Sequence, residues 1–81
     1  MKSIYETKGT CARSIEIEVE GGLIKNVVFN GGCDGNLKGI AGLVTGMSVN
    51  ETIKRLEGIK CGRKDTSCPD QLAEALKTME N

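Results

Sequence analysis

The sequence contains no histidine and no tryptophan, and Tyr5 and Phe29 are its only aromatic residues. Without histidine the chain has no imidazole base, no Cys–His nucleophile pair and no mixed Cys/His zinc site. Basic and acidic residues balance at eleven each, so the positive excess typical of a nucleic-acid-binding surface is missing. No apolar run approaches the roughly 20 residues that span a bilayer, and no signal peptide is recognisable. We therefore expect a soluble, cytoplasmic protein with no membrane and no nucleic-acid partner.

At 81 residues the chain is expected to form a single domain, residues 1–81. A core of this size is thin, and comparable scaffolds often add a metal, disulfides or a protein partner. By its size alone, the chain is not expected to be a self-sufficient enzyme with its own substrate cleft.

Strands are predicted in the first half. Residues 14–20 alternate between aliphatic residues and glutamate, which is typical of a half-buried strand. Gly21 and Gly22 predict a two-residue hairpin turn, and residues 23–30 form the returning strand. Residues 3–8 are a candidate third strand.

The hairpin also predicts a register, in which the numbers of paired residues sum to 43. Apolar residues then face apolar residues and opposite charges face each other. The predicted pairs are Val19 with Ile24, Ile15 with Val28, and Glu18 with Lys25.

Helices are predicted in the second half, where apolar residues recur with the helical period. Ser48 and Glu51 form a capping-box pattern that opens the second helix, and Gly58 ends it. The three apolar stripes are Leu37, Ile40, Ala41 and Val44; Val49, Ile53 and Leu56; and Leu72, Ala75, Leu76 and Met79. Strands followed by helices indicate an α+β fold, with two or three helices packed on one face of a small antiparallel sheet of two or three strands.

The candidate functional residues are the four cysteines, Cys11, Cys33, Cys61 and Cys68. A cytosolic location keeps most thiols reduced, so a fixed disulfide framework is not expected. All four fall in turns or at element ends, which argues against inert packing in the core. The hairpin brings Cys11 and Cys33 to the same end, on strands about 4.8 Å apart. Cys61 and Cys68 lie on either side of one loop.

Cys33 lies within the glycine-rich stretch "NGGCDGN". Gly32 and its neighbours allow the backbone to turn sharply and to approach a ligand. Asp34 or Asn36 is expected to cap the following helix, which would place Cys33 near a helix N-terminus. That end of a helix favours a thiolate over a thiol.

Cys68 has a similar setting. The stretch from Ser67 to Asp70 resembles a capping box with Asp in the Glu role, and the proline suits a first helical turn. Cys68 is therefore expected at the start of the last helix. Cys61 is flanked by a cationic run that also favours an anion: Lys60, Arg63 and Lys64.

The segment "TSCPDQLAEAL" (66–76), together with "GGCDGN" and "GIKCG", resembles the TSCPD domain family over nearly the whole chain. Members occur as stand-alone small proteins and as the C-terminal module of adenosylcobalamin-dependent ribonucleotide reductases. The resemblance implies an association with ribonucleoside-diphosphate reductase, its nucleotide binding and DNA synthesis. It also implies that this reductase, or another redox or metal protein, is a partner.

The order of elements and cysteines is also similar to the U-type (NifU-like) iron–sulfur scaffold proteins. By that resemblance Cys11, Cys33 and Cys68 correspond to the three cluster ligands. Ser67 stands where those scaffolds have histidine. Cys61 has no counterpart there and could supply a fourth ligand.

Three functions stay open from the sequence. The first is a metal-binding module in which the four thiolates hold zinc or an iron–sulfur cluster. The second is an oxidoreductase accessory of ribonucleotide reduction, with Cys61 and Cys68 as an exchanging pair. The third is a plain interaction domain in which the cysteines only pack. The oligomeric state is not indicated.

Overall fold

The structure, a computed structural model, describes residues 1–79. Its elements are β1 (Lys2–Glu6), β2 (Ala12–Glu20), β3 (Leu23–Gly31), α1 (Asp34–Val44), α2 (Val49–Leu56) and α3 (Cys68–Met79). The strands form an antiparallel sheet in the order β1-β2-β3. The predicted α+β class and the third strand are confirmed. The last two residues of the predicted 1–81 domain lie outside the described part.

The turn between β2 and β3 is the predicted glycine pair. Gly21 and Gly22 have φ values of 61° and 77°. Both values lie in the left-handed region that primed hairpin turns require, which glycine adopts without steric cost. Next to the turn, Val19 pairs with Ile24 as predicted.

The predicted register is wrong beyond this point, because a bulge lies between the pairs of Val19 and Glu18. The observed partners are Asn26 for Glu18 and Phe29 for Ile15, where the uniform register predicted Lys25 and Val28. The bulge adds one residue to β3, so each following side chain lies on the face of the sheet opposite to the predicted one. As a result Val27 is buried on the same face as Ile24, whereas Val28 is 41% exposed.

A second irregularity in the strand pairing restores the predicted register at the open end of the hairpin. The register shifts between Ser14 and Ala12, and Ala12 pairs with Gly31, whose numbers again sum to 43. Ala12 is buried at 2% exposure. Cys11 directly precedes this pair and Gly32 directly follows it, so the prediction that the two segments meet at this end is confirmed.

The core lies between one face of the sheet and the helices. Ile15 and Ile17 of β2 contribute to it, as predicted for that face. Leu72 and Leu76 of α3 have no exposed surface. A smaller cluster sits at the cysteine end of the sheet and consists of Ala12, Leu37 and Cys68, with Phe29 and Ile40 packed against it.

The helix boundaries follow the local signals. Ser48 caps α2, because its hydroxyl accepts a hydrogen bond from the Glu51 amide at 3.1 Å. Gly58, with φ at 81°, follows the C-cap of that helix. α1 packs on β3, while α2 packs mainly on α3. Within residues 1–79, no helix combines the length and apolar character needed to cross a membrane.

Candidate thiol site

All four cysteines line one cavity of about 210 Å³. They reach it from four places in the fold: Cys11 precedes β2, Cys33 precedes α1, Cys61 lies between α2 and α3, and Cys68 begins α3. The sequence predicted that Cys11 and Cys33 meet at the hairpin end and that Cys61 and Cys68 flank one loop, with a shared four-thiolate site as one of three open functions. The meeting of all four arises from the packing of the α3 N-terminus against the open end of the hairpin, where Cys68 contacts Ala12 and Leu37 in the small cluster.

The cavity has a mainly apolar wall. Leu37, Ile40 and Pro69 contribute carbon surface, and the remaining lining residues are Thr10, Asn36, Lys64 and Ser67. Among the described lining residues, Lys64 carries the only charged side chain and no carboxylate is present. The four sulfurs are therefore the strongest metal-donor atoms that the wall provides.

All four sulfurs are free thiols that differ in accessibility. Cys11, Cys33 and Cys61 are exposed, whereas Cys68 is buried. A ligand entering from solvent would thus meet three accessible thiols and one buried thiol.

Cys33 is itself the N-cap of α1, with a φ of −81° and no side-chain capping bond. The prediction that Asp34 or Asn36 caps this helix is therefore wrong. Asp34 lies in the first turn, where its carboxylate pairs with Lys38 at 3.2 Å and is 80% exposed. It lines a groove between α1 and β3 instead of the thiol cavity, whereas Asn36 does line the cavity. Asp34 supports the start of α1 and supplies no donor to the site.

Gly32 brings the Cys33 segment against β2. Its φ is 80°, and a Cβ at this position would stand 2.8 Å from Leu37 Cδ1 and 3.1 Å from the Ala12 backbone nitrogen. Such distances are shorter than ordinary van der Waals contacts. The close approach of the two backbones, which holds Cys11 and Cys33 at one end of the sheet, therefore needs glycine.

Ser67 caps α3, as predicted. Its hydroxyl accepts a hydrogen bond from the Asp70 amide at 3.1 Å, which is the N-cap interaction. The reciprocal half of the predicted capping box is absent among the described bonds of Asp70. That carboxylate instead accepts from the Gly58 amide at 2.7 Å and from the Thr66 hydroxyl. Cys68 is thereby the first residue of a well-capped helix.

The loop that carries Cys61 is closed by its own backbone. The Cys61 amide donates to the Thr66 carbonyl at 3.1 Å, and the Lys64 amide donates to the Cys61 carbonyl at 3.0 Å. Gly62, with φ at 58°, makes the tight turn between them. Of the three cations flanking Cys61, Lys64 faces the cavity.

The sulfurs surround the cavity without converging on one point. Within residues 1–79, no group of three or more His, Cys, Asp or Glu side chains stands close enough together to hold a metal ion. The four cysteines line one cavity although their sulfurs do not yet form a ligand cluster. Rotation of a thiol side chain about χ1 can bring its sulfur inward. Binding of a single ion at Zn–S distances near 2.3 Å would require such inward rotation.

Two polar residues beside the site, Thr66 and Gln71, were not predicted from the sequence. Gln71 is 8% exposed, although glutamine is mostly found at the surface. In the sequence, the burial of Gln71 was indicated only by its position next to Leu72, at the edge of the apolar stripe of α3.

Within residues 1–79, a three-stranded antiparallel sheet, three helices and four thiols around one cavity define a small α+β cysteine domain. A family model described as the TSCPD domain matches residues 3–80. The chain therefore belongs to the TSCPD domain family, which confirms the resemblance noted in residues 66–76. Comparisons with curated proteins and with solved structures gave no match.

Proposed function

We propose that the chain binds zinc or an iron–sulfur cluster through Cys11, Cys33, Cys61 and Cys68. The observation that supports this proposal is the single cavity of about 210 Å³ that all four thiols line. Four cysteines dispersed over the chain and used only for packing would have no reason to gather at one cavity.

The chemistry of the donors fits this class of ligand. Thiolates are soft ligands that select zinc and iron–sulfur clusters, whereas calcium and magnesium prefer oxygen donors. The described lining holds no carboxylate that could serve such hard ions. Four sulfurs also match the four ligands of a closed structural zinc site or of a cysteine-bound cluster.

A bound metal would contribute to stability as well as to chemistry. The four ligands come from the β1–β2 connection, the β3–α1 connection, the α2–α3 loop and the start of α3. Metal ligation would cross-link these segments in the folded state only, so the free energy of binding would stabilise the thin core. Reduced thiols in this role suit the cytoplasm, which we propose as the compartment.

The proposal is tested by anaerobic purification, followed by zinc, iron and sulfide analysis and an absorption spectrum. Cys33→Ser and Cys68→Ser are compared with the wild type, and Leu43→Ser serves as control because Leu43 is 79% exposed on α1 and does not line the cavity. We expect stoichiometric metal in the wild type and in the control, and its loss from both cysteine variants. Metal-free wild type, or metal retained in both variants, would contradict the proposal.

A second candidate function is thiol–disulfide exchange by Cys61 and Cys68. It is favoured by the arrangement of an exposed thiol and a buried thiol on the same cavity and at the two ends of one loop. Forming their disulfide would release two electrons and two protons, which would reduce a partner disulfide to a dithiol. Ribonucleotide reductase or another redox protein would be that partner. A metal-free protein with a reversible disulfide, lost in Cys61→Ser, would support this candidate over the first.

A further inference from the structure

The first turn of α3 contains two buried polar side chains that are not part of the lining of the thiol cavity. Asp70 is 9% exposed and Gln71 is 8% exposed, and neither lines the cavity. Burying a carboxylate or an amide is unfavourable unless its hydrogen bonds are replaced. Within residues 1–79, no buried side-chain nitrogen or oxygen lacks a hydrogen-bond partner. Their partners show what these two side chains hold in place.

Asp70 forms hydrogen bonds to both ends of the loop that carries Cys61. Its carboxylate accepts from the Gly58 amide at 2.7 Å, at the start of the loop, and from the Thr66 hydroxyl at its end. Ser67 adds a third bond, because its hydroxyl donates to the Ile59 carbonyl at 2.6 Å. The loop is thus attached to the helix that begins with Cys68.

Gln71 connects this loop to the one that carries Cys11. Its Nε2 donates to Thr66 Oγ1 at 3.0 Å, and its Oε1 accepts from the Lys8 amide at 3.1 Å. The two loops also touch directly, since a Cβ on Gly9 would lie 3.1 Å from Thr66 Cγ2. One side chain therefore spans the β1–β2 connection and the α2–α3 loop.

We infer that Asp70 and Gln71 are positioning residues that hold Cys11 and Cys61 against the cavity and beside Cys68. They act through the backbone of the two loops, and neither touches the ligand space. Cys33 is outside their reach, because it is placed by α1 and Gly32. The expected change in metal affinity rests on the proposed function, whereas the expected change in loop order does not.

The decisive variant is Gln71→Met, which keeps side-chain length and helix propensity but removes both hydrogen bonds. Asp70→Asn is the second variant, because it keeps a carbonyl acceptor for the Gly58 amide while removing the charge. Glu74→Met is the matched control, since Glu74 lies on the same helix and its ion pair is with Lys77. Each protein is studied metal-free and with added Zn²⁺.

The first measurement is hydrogen exchange in the metal-free protein. We expect Gln71→Met to speed amide exchange in residues 7–11 and 58–66 by about ten-fold or more, with β2, β3 and α3 unchanged. Asp70→Asn should affect only residues 58–66, and Glu74→Met neither loop. Unchanged loops, or a uniform increase over the whole chain, would overturn the inference.

The second measurement is the Zn²⁺ dissociation constant, from competition with a chelator. Residues that orient metal ligands typically change affinity by about 10- to 100-fold when replaced, and we expect a loss in that range for Gln71→Met. Equal affinity in Gln71→Met and wild type would overturn the inference. Absence of Zn²⁺ binding in the wild type would instead contradict the zinc alternative of the proposed function, and loop exchange would still decide the role of Gln71.

Discussion

At the scale of single residues, Gly32 lies where the hairpin contacts α1, directly before the cavity-lining Cys33. It has a left-handed backbone, and its Cα faces both Leu37 and the Ala12 backbone with no room for a methyl group. Gly35, three residues later, lies in α1, and apart from its chain neighbours and the nearby backbone of its own helix no atom lies within 4 Å of the place a Cβ would occupy. Two glycines in the same stretch thus have different roles, which the sequence pattern "GGCDGN" does not separate.

Gly32→Ala is expected to lower the free energy of unfolding by about 2 to 4 kcal/mol, from the strained backbone and from overpacking. Gly35→Ala should raise it by up to about 1 kcal/mol, because alanine is the better helix former. Urea denaturation of both metal-free variants measures the two values. Similar values for the two substitutions would show that the close approach at Gly32 is not what requires glycine.

At the scale of elements, local patterns predicted the type of every strand and helix but not the register of the hairpin. The alternation in residues 14–20 identified the strand because glutamate and aliphatic residues mark opposite faces. In β3, Val27 and Val28 are adjacent and equally apolar, so either face could be the inner one. The bulge that buries Val27 and exposes Val28 is set by packing under the helices, which no local pattern encodes.

The start of α2 offers a direct test of a predicted element boundary. Ser48→Ala removes the acceptor for the Glu51 amide and should cost about 1 kcal/mol of the free energy of unfolding. Ser48→Asp keeps an acceptor and adds favourable charge at the helix N-terminus, so its stability should match the wild type. The midpoints of chemical denaturation compare the three proteins, and equal losses in both variants would contradict the capping role.

The contact between α3 and the end of α2 includes an ion pair that depends on pH. The Lys77 ammonium lies 2.8 Å from Glu57 and 3.5 Å from Glu74. The hydrogen bond to Glu57 is the main influence that raises the pKa of Lys77 above its usual 10.5, and the two carboxylate charges add to it. A raised pKa means that the pair stabilises the folded state fully below pH 10.5 and less as the pH rises through the folded value.

Lys77→Met should therefore be slightly less stable than the wild type at pH 7, because an exposed ion pair contributes little. The difference should shrink as the pH rises from 10.5 through the raised pKa of Lys77, where the wild-type ammonium loses its proton. Denaturation midpoints of both metal-free proteins at pH 7 and at pH 11 check this. A difference that persists unchanged at the higher pH would show that packing of the Lys77 stem, not its charge, is responsible.

At the scale of the whole molecule, the four cysteines are dispersed in sequence and gathered in space. The hairpin predicted that Cys11 and Cys33 meet, and the helix start predicted the setting of Cys68. The single cavity could not be predicted from local patterns, because it depends on how α3 packs over the sheet. The roles of Asp70 and Gln71 depend on the same packing, since their partners lie up to 63 residues away along the chain.

The meeting of the four cysteines at one cavity matters for stability because the hydrophobic core of this chain is thin. The chain has two aromatic residues and no tryptophan, and its buried clusters consist mainly of aliphatic side chains. A ligand shared by four segments would bind only the folded chain and would add its binding free energy to the stability. The proposed metal ligation would thus affect both the stability and the chemistry of the chain.

X-ray absorption at the zinc or iron edge of the anaerobically purified protein is a direct test of the proposed metal ligation. We predict four sulfur ligands per zinc, or only sulfur ligation at each iron of a cluster, with Zn–S distances near 2.3 Å in the zinc case. Cys61→Ser, measured beside it, should lose one protein sulfur ligand. A shell dominated by oxygen or nitrogen, or a protein without stoichiometric metal, would contradict four-thiolate ligation.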